Sequence, residues 1–470
     1  MVIVESPAKA RKIQQYLGSS AKVLATFGHV RDLAKGNSVD PSSGFELRWE
    51  APAPAARRRL DELAELASSP RTGKVVLATD PDREGEAISW HVLEELRARG
   101  ASLEEKDGGE FGAAVAAASS SSSSSPAPAT SKKRPNKSPK TNSIIPVERA
   151  TFTSVTEAAV REALASPRAI SRDLVEAYFA RRALDRLFGF SLSPLLWRRL
   201  PGARSAGRVQ SAALALVAAR ELEVRAFVPV DYFSVEAELE TRGPPPVLLA
   251  ARLKRQPHGR GAVPSPGLPA AALADAAVAA LRDPTSDLRV SSVRSRPSRR
   301  SPPPPFATAS LQQAASALLG MSPTDAMRAA QQLYEGGDEA GGEALITYHR
   351  TDGIGMPPEA SSAVRDAAAE LFGAGSVVAG AEPRQWKTRA KNAQEAHEAI
   401  RPTDPRRTPQ SLSSASISPR LLRLYELVWR RTLASQMADA RLETVTVDVG
   451  VTLGGGGGGG GAGEIGRAHV

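Results

Sequence analysis

The chain contains no cysteine. Disulfide staples and thiolate zinc sites are therefore excluded, and any metal must be held by oxygen or nitrogen ligands. No apolar run is long enough to span a bilayer, so no membrane partner is expected. There is no Gly-x-x-x-x-Gly-Lys-Ser/Thr phosphate loop, which argues against ATP as a cofactor. No signal or transit segment precedes the strand-like Val2-Ile3-Val4. The expectation is a protein that acts where it is made, or one whose true start lies upstream. Positive charge is in excess, with a net charge of +10 and a pI of about 9.9. That balance favours nucleic acid or another anionic surface as partner. A length of 470 residues allows several domains.

Residues 1 to about 100 alternate short apolar runs with helical patterns, as an α/β unit does. Val2–Val4 and Val75–Ala78 read as buried parallel strands, and Ala8–Leu17 and Ala87–Arg97 as helices. From Gly112 to about Asn142 the composition changes to a serine run, Pro126-Ala127-Pro128 and a basic Lys132-Lys133-Arg134, which reads as a disordered insertion. Beyond it, Val147–Val155 reads as a strand, and Thr156–Ala165, Ile170–Phe188 and Ser205–Ala226 as helices. Asp231–Glu240 alternates as a half-buried strand does. Arg294–Pro305 reads as a Pro/Arg-rich link, Ala307–Tyr334 as helical, Leu345–Tyr348 as a strand, Ser418–Met437 as a helix and Thr444–Leu453 as a strand. The glycine run Gly454–Gly461 abandons that strand, and the closing Glu464–Val470 looks like a translated sequencing adapter.

Two segments carry chemistry. Thr79-Asp80-Pro81-Asp82-Arg83-Glu84-Gly85-Glu86 follows an apolar run and precedes a helical pattern. Carboxylates crowded at a strand's carboxyl end repel one another unless a cation neutralises them, and hard oxygen ligands favour Mg²⁺ with room for substrate phosphate. Glu5 ends the first strand and Lys9 lies one helical turn beyond, so both can face the same sheet edge as Asp80, Asp82 and Glu84. In the second segment, Gly341–Gly353, a strand over Leu345–Arg350 would place Tyr348 and Arg350 on one face and His349 on the other. A guanidinium beside a phenol stabilises both phenolate and phosphate charge. Tyrosine attack on a phosphodiester stores the bond as an ester, so resealing needs no ATP. A Tyr-x-Arg pair alone is structural more often than catalytic. Arg181, Arg182 and Asp185 alone read as an ordinary exposed ion pair on a helix.

Val4-Glu5-Ser6-Pro7-Ala8-Lys9, Gly28–Leu33, Asp80–Glu86, Ser205–Ser211, Ile346–Asp352 and Gln394–Pro402 occur in this order. Together they resemble bacterial-type DNA topoisomerase I, a type IA enzyme, from residue 2 to about 453. Leu195–Gly202 before the Ser-Ala-Gly-Arg motif resembles the plant organellar branch. The resemblance implies an α/β Toprim domain followed by mainly helical and mixed α+β domains of a ring, incomplete at its C-terminus. The implied division is a Toprim domain over 1–165 with its insertion at 112–143, and the first part of a helical DNA-binding domain over 166–228. The first part of a β-rich arch covers 229–300, the tyrosine domain 301–408, the second part of the arch 409–453, and a glycine-rich tail 454–470.

The resemblance also implies roles. Glu5, Asp80, Asp82 and Glu84 surround Mg²⁺. Tyr348 is the nucleophile, Arg350 stabilises its transition state, Lys9 donates a proton to the leaving 3′-oxygen or acts as an electrostatic stabiliser, and His397 supports the site. Contacts to single-stranded stretches of negatively supercoiled DNA come from His29, Arg149, Arg181, Arg182, Asp185, Trp197, Gly202, Arg204, Ser205, Gly207, Arg208, Gln210 and Arg350. Cations there track phosphate and an aromatic ring stacks on bases. The implied activity is ATP-independent relaxation by a monomer, with a topoisomerase III-like decatenase, a Toprim nuclease or primase, and an inactive DNA-binding fragment as alternatives. The implied compartment is a plastid or mitochondrion for a eukaryotic source, otherwise the bacterial cytoplasm. Thr153-Ser154 and His349 depart from the usual family residues, a polar residue with glutamate and methionine. Family members continue well past a strand like Thr444–Leu453, so a chain ending here is expected to be poorly stable or weakly active.

Overall fold

The structure is a computed structural model that describes residues 1–50, 54–105, 144–254, 266–337, 340–378, 380, 382–387, 398–413, 417–452 and 463–469. The insertion at 112–143, the glycine run and His397 lie outside the described residues. The chain divides into two compact units, Met1–Ala213 with Pro303–Met437, and Leu214–Pro302 with Ala438–Val470.

The first unit begins with β1 (Val2–Val4), α1 (Pro7–Leu17) and β2 (Val23–Ala25). The short strands β3 (Asp32–Leu33), β4 (Val39–Asp40), β5 (Glu46–Leu47) and β6 (Trp49–Glu50) form two small ribbons. Next come α2 (Pro54–Ala67), β7 (Val75–Leu77), α3 (Arg83–Ala98), β8 (Leu103–Glu105) and β9 (Ile145–Arg149). The five main strands make one parallel sheet in the order β2-β1-β7-β9-β8. The continuous apolar runs read from sequence are required because both faces are covered. Val2, Val4, Val76 and Ala78 enter one core cluster with Ile13 of α1, whereas Ile3, Val75 and Leu77 enter another with Leu60 and Leu63 of α2 and Leu93 and Leu96 of α3. Each fully buried aliphatic side chain contributes roughly 1.5–3 kcal/mol relative to exposure. The central strands are thereby fixed, and the loops at their carboxyl ends with them.

Further helices are α4 (Glu157–Ala165), α5 (Arg172–Arg199) and α6 (Arg208–Ala226). α5 runs eleven residues past the predicted end, continuing through Pro194. α6 passes into the second unit and buries none of its residues, leaving Leu214, Leu216, Val217 and Leu222 exposed.

In the second unit β10 (Glu236–Glu240), β11 (Leu248–Leu253), α7 (Ala271–Arg282), β12 (Asp287–Arg300), β13 (Ala440–Thr452) and β14 (Gly463–His469) build an antiparallel sheet with α7 packed on it. Its strand order is β10-β11-β14-β13-β12. Two expectations change here. The supposed link from Arg294 continues β12 as far as Arg300, and Pro297, which lacks an N–H, is accommodated because β12 is an edge strand. The supposed tail contains β14, which pairs with both β11 and β13.

The chain returns to the first unit at Pro303. The helical region after Ala307 resolves into α8 (Thr308–Leu319) and α9 (Pro323–Glu335). Gly320 ends α8 in the left-handed conformation (φ 64°), and the Ser322 side chain caps α9. α10 (Pro358–Phe372), the single turn α11 (Pro409–Ser413) and α12 (Pro419–Ser435) complete the unit. Residues 409–437, assigned from sequence to the arch, therefore lie in the first unit. The reason is the apolar face of α12: Leu421, Leu424, Tyr425, Val428 and Leu433 enter the cluster that also holds Tyr348.

Candidate active site

Glu5 leaves the end of β1. The Ser6 side chain accepts the Lys9 N–H (3.2 Å) and Pro7 occupies the first turn, so α1 starts at once and returns Lys9 to the same sheet edge. The acidic loop leaves β7 in the same way. Asp82 caps α3, its Oδ1 accepting the Gly85 N–H at 2.8 Å. Thr79 Oγ1 donates to the Gly85 carbonyl at 2.6 Å. Gly85 is obligatory by proximity, because a Cβ there would stand 2.2 Å from the Asp80 carbonyl oxygen.

Lys9 is wholly buried. Its ammonium bonds Glu5 Oε1 and Asp80 Oδ1 and lies 4.7 Å from the Tyr334 ring centroid. Burial pulls the lysine pKa down, but the adjacent charges of Asp80 and Glu5 outweigh it and hold it well above the ordinary value. Burial pushes Glu5 up to about 7, opposed by Lys9 and helped by Asp80. The second oxygen, Oε2, is buried without a hydrogen-bond partner.

Tyr348 meets this cluster from the distant second segment. Its phenol donates to Asp82 Oδ2 at 2.6 Å. One oxygen of Asp82 thus fixes the helix while the other receives the tyrosine. Burial and the neighbouring Asp80 and Asp82 charges raise the Tyr348 pKa strongly. The predicted strand over Leu345–Arg350 is absent; the segment makes a single bridge, between Ile346 and Pro402, and bends at His349 and Arg350. It is held by individual bonds, among them Thr347 N–H to Arg401 O (2.9 Å) and Tyr348 N–H to Thr153 O (2.7 Å). Thr153 supplies a backbone carbonyl, which any residue could, so its departure from the family pattern does not cost this contact. His349 does not point away as strand alternation implied. It is buried, its ring lies 5.5 Å from that of Tyr348, and burial lowers its pKa to about 4. Arg350 is exposed and donates to Glu84 Oε2 at 3.0 Å, while Glu84 Oε1 meets His29 Nε2 at 2.9 Å.

An open cleft of about 850 Å³ beside these groups is lined by His29, Asp82, Glu84, Arg181, Arg182, Asp185 and Arg350, among others. Tyr178, missed in the sequence, also lines it and stacks on His29 at 5.8 Å. An opening of about 580 Å³ is lined by Glu5, Asp80, Asp82, Glu84, His349 and Arg350, again among others. Trp197, Gly202, Arg204, Ser205, Gly207 and Gln210 do not line either opening. They fold onto one another: Trp197 Nε1 donates to Arg204 O (2.7 Å) and Gln210 Nε2 to Ser205 O (3.0 Å). Arg208 reaches the cleft indirectly, donating to Asp185 at 3.0 Å.

Arg149 corrects a prediction. It is wholly buried rather than presented to a ligand. It donates to Glu86 Oε2 (3.0 Å), Leu77 O (3.0 Å), Ala150 O (2.6 Å) and Asp80 O (2.7 Å). Glu86, also wholly buried, accepts in addition from Arg168 (2.7 and 2.9 Å) and from the Ser171 N–H (2.6 Å) next to α5. The acidic loop is therefore tied through two buried ions to the helix that carries Arg181 and Arg182. Tyr334 was also missed; its Oη donates to Asp80 Oδ1 at 3.2 Å and its ring meets Tyr348 edge-on at 5.2 Å. A tyrosine on the core face of an otherwise alanine-rich helix was the available signal.

Among the described residues, no group of three or more acidic or histidine side chains converges closely enough to hold a metal ion. The four acids expected to ring Mg²⁺ are instead partnered by Lys9, Tyr348, His29 and Arg350. Mg²⁺ commonly takes only one or two protein carboxylates together with water and substrate phosphate. The free oxygen of Glu5 fits such a ligand set.

Residues 1–111 match the Toprim domain and residues 169–457 the DNA topoisomerase family. DNA topoisomerase 1 of Zymomonas mobilis is 44% identical over 455 residues, which are 96% of this chain and 32% of that protein. DNA topoisomerase 1 of Xylella fastidiosa is 39% identical, covering 96% and 49%, and that of Rickettsia felis 38%, covering 96% and 52%. The full-length topoisomerase I structure from Thermotoga maritima aligns with a TM-score of 0.71 at 32% identity, over 95% of this chain and 62% of that one. The chain spans between about a third and a half of the curated relatives it matches. These relatives are bacterial, which lends no support to the organellar expectation. No helix among the described residues is long and apolar enough to cross a membrane. With a Toprim sheet edge facing the tyrosine of the second matched region, the chain belongs to the bacterial-type DNA topoisomerase family.

Proposed function

We infer that this chain carries the cleavage and resealing centre of an ATP-independent type IA DNA topoisomerase that relaxes negatively supercoiled DNA. The observation that carries the reading is the Tyr348 phenol bonded to Asp82 beside the Lys9–Glu5–Asp80 cluster, although 266 positions separate tyrosine and acid.

In the proposed reaction the Tyr348 oxygen attacks the scissile phosphorus while its proton passes to Asp82 Oδ2. The bond from phosphorus to the 3′-oxygen breaks, and Lys9 Nζ gives that oxygen a proton. A 5′-phosphotyrosine remains, and resealing reverses each transfer. Arg350 places a guanidinium where phosphate charge develops. Mg²⁺, held by Glu5 and the acidic loop, supplies further positive charge beside the phosphate when bound. The arrangement with Tyr348 on Asp82 is the resting one. Tyr348 is buried, so the tyrosine segment has to shift to admit the scissile phosphate while the phenol keeps its bond to Asp82.

Trapping on an end-labelled single-stranded oligonucleotide tests the reading. The unsubstituted chain should yield a denaturation-resistant adduct through the 5′-phosphate, and Tyr348→Phe none. Persistent cutting by Tyr348→Phe would favour a Toprim nuclease instead.

A further inference from the structure

The sheet of the second unit is electrically polarised from edge to edge. One edge, β10, presents Glu236, Glu238 and Glu240. The opposite edge, β12, carries Arg289, Arg294, Arg296, Arg299 and Arg300, all exposed. Arg289 pairs with Asp287 at 2.5 Å, and Arg294 bonds Asp448. Arg296, Arg299 and Arg300 have no acidic partner among the described residues, nor does Arg441 on the neighbouring β13. The nearby Glu443 is engaged by Ser295. In the antiparallel register Arg299 stands directly opposite Arg441.

Charged side chains on an edge strand commonly serve to block pairing with another chain. That need fixes the presence of charge but not its sign, and the β10 edge meets it with glutamates. Two arginines directly across a ladder repel and destabilise the sheet. Such a pair is retained without penalty where a polyanion neutralises it. We propose that the β12–β13 ribbon, through Arg296, Arg299, Arg300 and Arg441, binds the phosphate backbone of DNA at a place other than the cleft. None of these four residues lines the cleft. The inference rests on DNA being the substrate of this chain.

The test measures non-covalent binding of a labelled single-stranded oligonucleotide across a range of KCl concentrations, in the Tyr348→Phe background. Replacing the four arginines by glutamine should reduce the slope of log affinity against log salt, by about 0.7 for each phosphate no longer neutralised and about 2.8 if all four arginines contribute. Glu236→Gln/Glu238→Gln/Glu240→Gln should not reduce it. Arg441→Glu should weaken DNA binding while making the chain more resistant to denaturant, because it turns a repulsive pair into an attractive one. An unchanged slope in the fourfold variant, or unchanged DNA affinity in Arg441→Glu, would overturn the proposal. With Tyr348 intact, the fourfold variant should still form the covalent adduct at saturating oligonucleotide, and failure to form it there would also count against a separate site. Absence of the adduct from the unsubstituted chain would instead sink the cleavage reading, leaving the salt slope to be judged by itself.

Discussion

Replacing Glu86 tests the buried ion network most directly. Its carboxylate sits against a wholly buried Arg149 and also receives Arg168 and the Ser171 N–H. Glu86→Leu would leave a guanidinium in the interior with only carbonyl oxygens. Breaking a buried pair by removing one partner costs about 3–5 kcal/mol, a large part of the roughly 5–15 kcal/mol that stabilises a typical domain. The Arg168 contribution is discounted, because that side chain is partly exposed and can regain water. Pairing the change with Arg149→Met removes the stranded charge and should recover most of the stability. Denaturant titration at constant m-value reads both results. The pH dependence follows the same logic. Burial raises the Glu86 pKa, but the Arg168 hydrogen bond and the Arg149 and Arg168 charges hold it below 4.5. Its stabilisation is therefore present above pH 4.5 and is lost as pH falls through the lowered folded value. Glu86→Gln should flatten that part of the acid limb. A Glu86→Leu destabilisation under about 1 kcal/mol, well short of the cost of a broken buried pair, or a double variant no more stable than the single one, would refute the reasoning.

Two further outcomes are expected. Gly85→Ala forces a Cβ to within 2.2 Å of the Asp80 carbonyl, so it should cost about 1–3 kcal/mol as overpacking does and cut the yield of trapped adduct by displacing the acidic loop. His91 is buried between Trp49 and Phe179 with neither ring nitrogen bonded, and burial, aided by Arg31 and His29, lowers its pKa to about 3. The unfolded chain takes up this proton near pH 6.5 and the folded chain does not. Stability should therefore fall by about 2 kcal/mol between pH 6.5 and pH 5 from this group alone. His91→Phe should remove that component in denaturant titrations at the two pH values.

The parallel sheet and its acidic edge were legible in the sequence because their determinants are local. Val2–Val4 and Val75–Leu77 are short and continuously apolar. Lys9 falls one turn from Glu5 by helical periodicity alone. The Tyr348 segment was misread as a strand because alternation over a few residues does not distinguish a ladder from a bending stretch held by isolated bonds. Arg294–Pro305 was misread in the opposite sense. Proline and arginine mark loops on average, yet an edge strand accepts both, and edge position is a property of the whole sheet.

What the sequence determined by itself was the chemistry on offer: which acids, which phenol, which cations, and at which strand ends. It also excluded thiolates and a phosphate loop. The tertiary structure alone decided which of these groups meet. Arg149 reads as a surface cation in a linear chain, and only the packing of β9 against β7 and α3 turns it into a buried strut for Asp80. Tyr334, Tyr348 and Asp82 come together because α8, α9 and α12 share a core with the first strands. The physical reason is that side-chain periodicity acts over a few residues. Burial, pairing and the pKa values they impose are instead set by groups that are distant in the chain and neighbours only once it is folded.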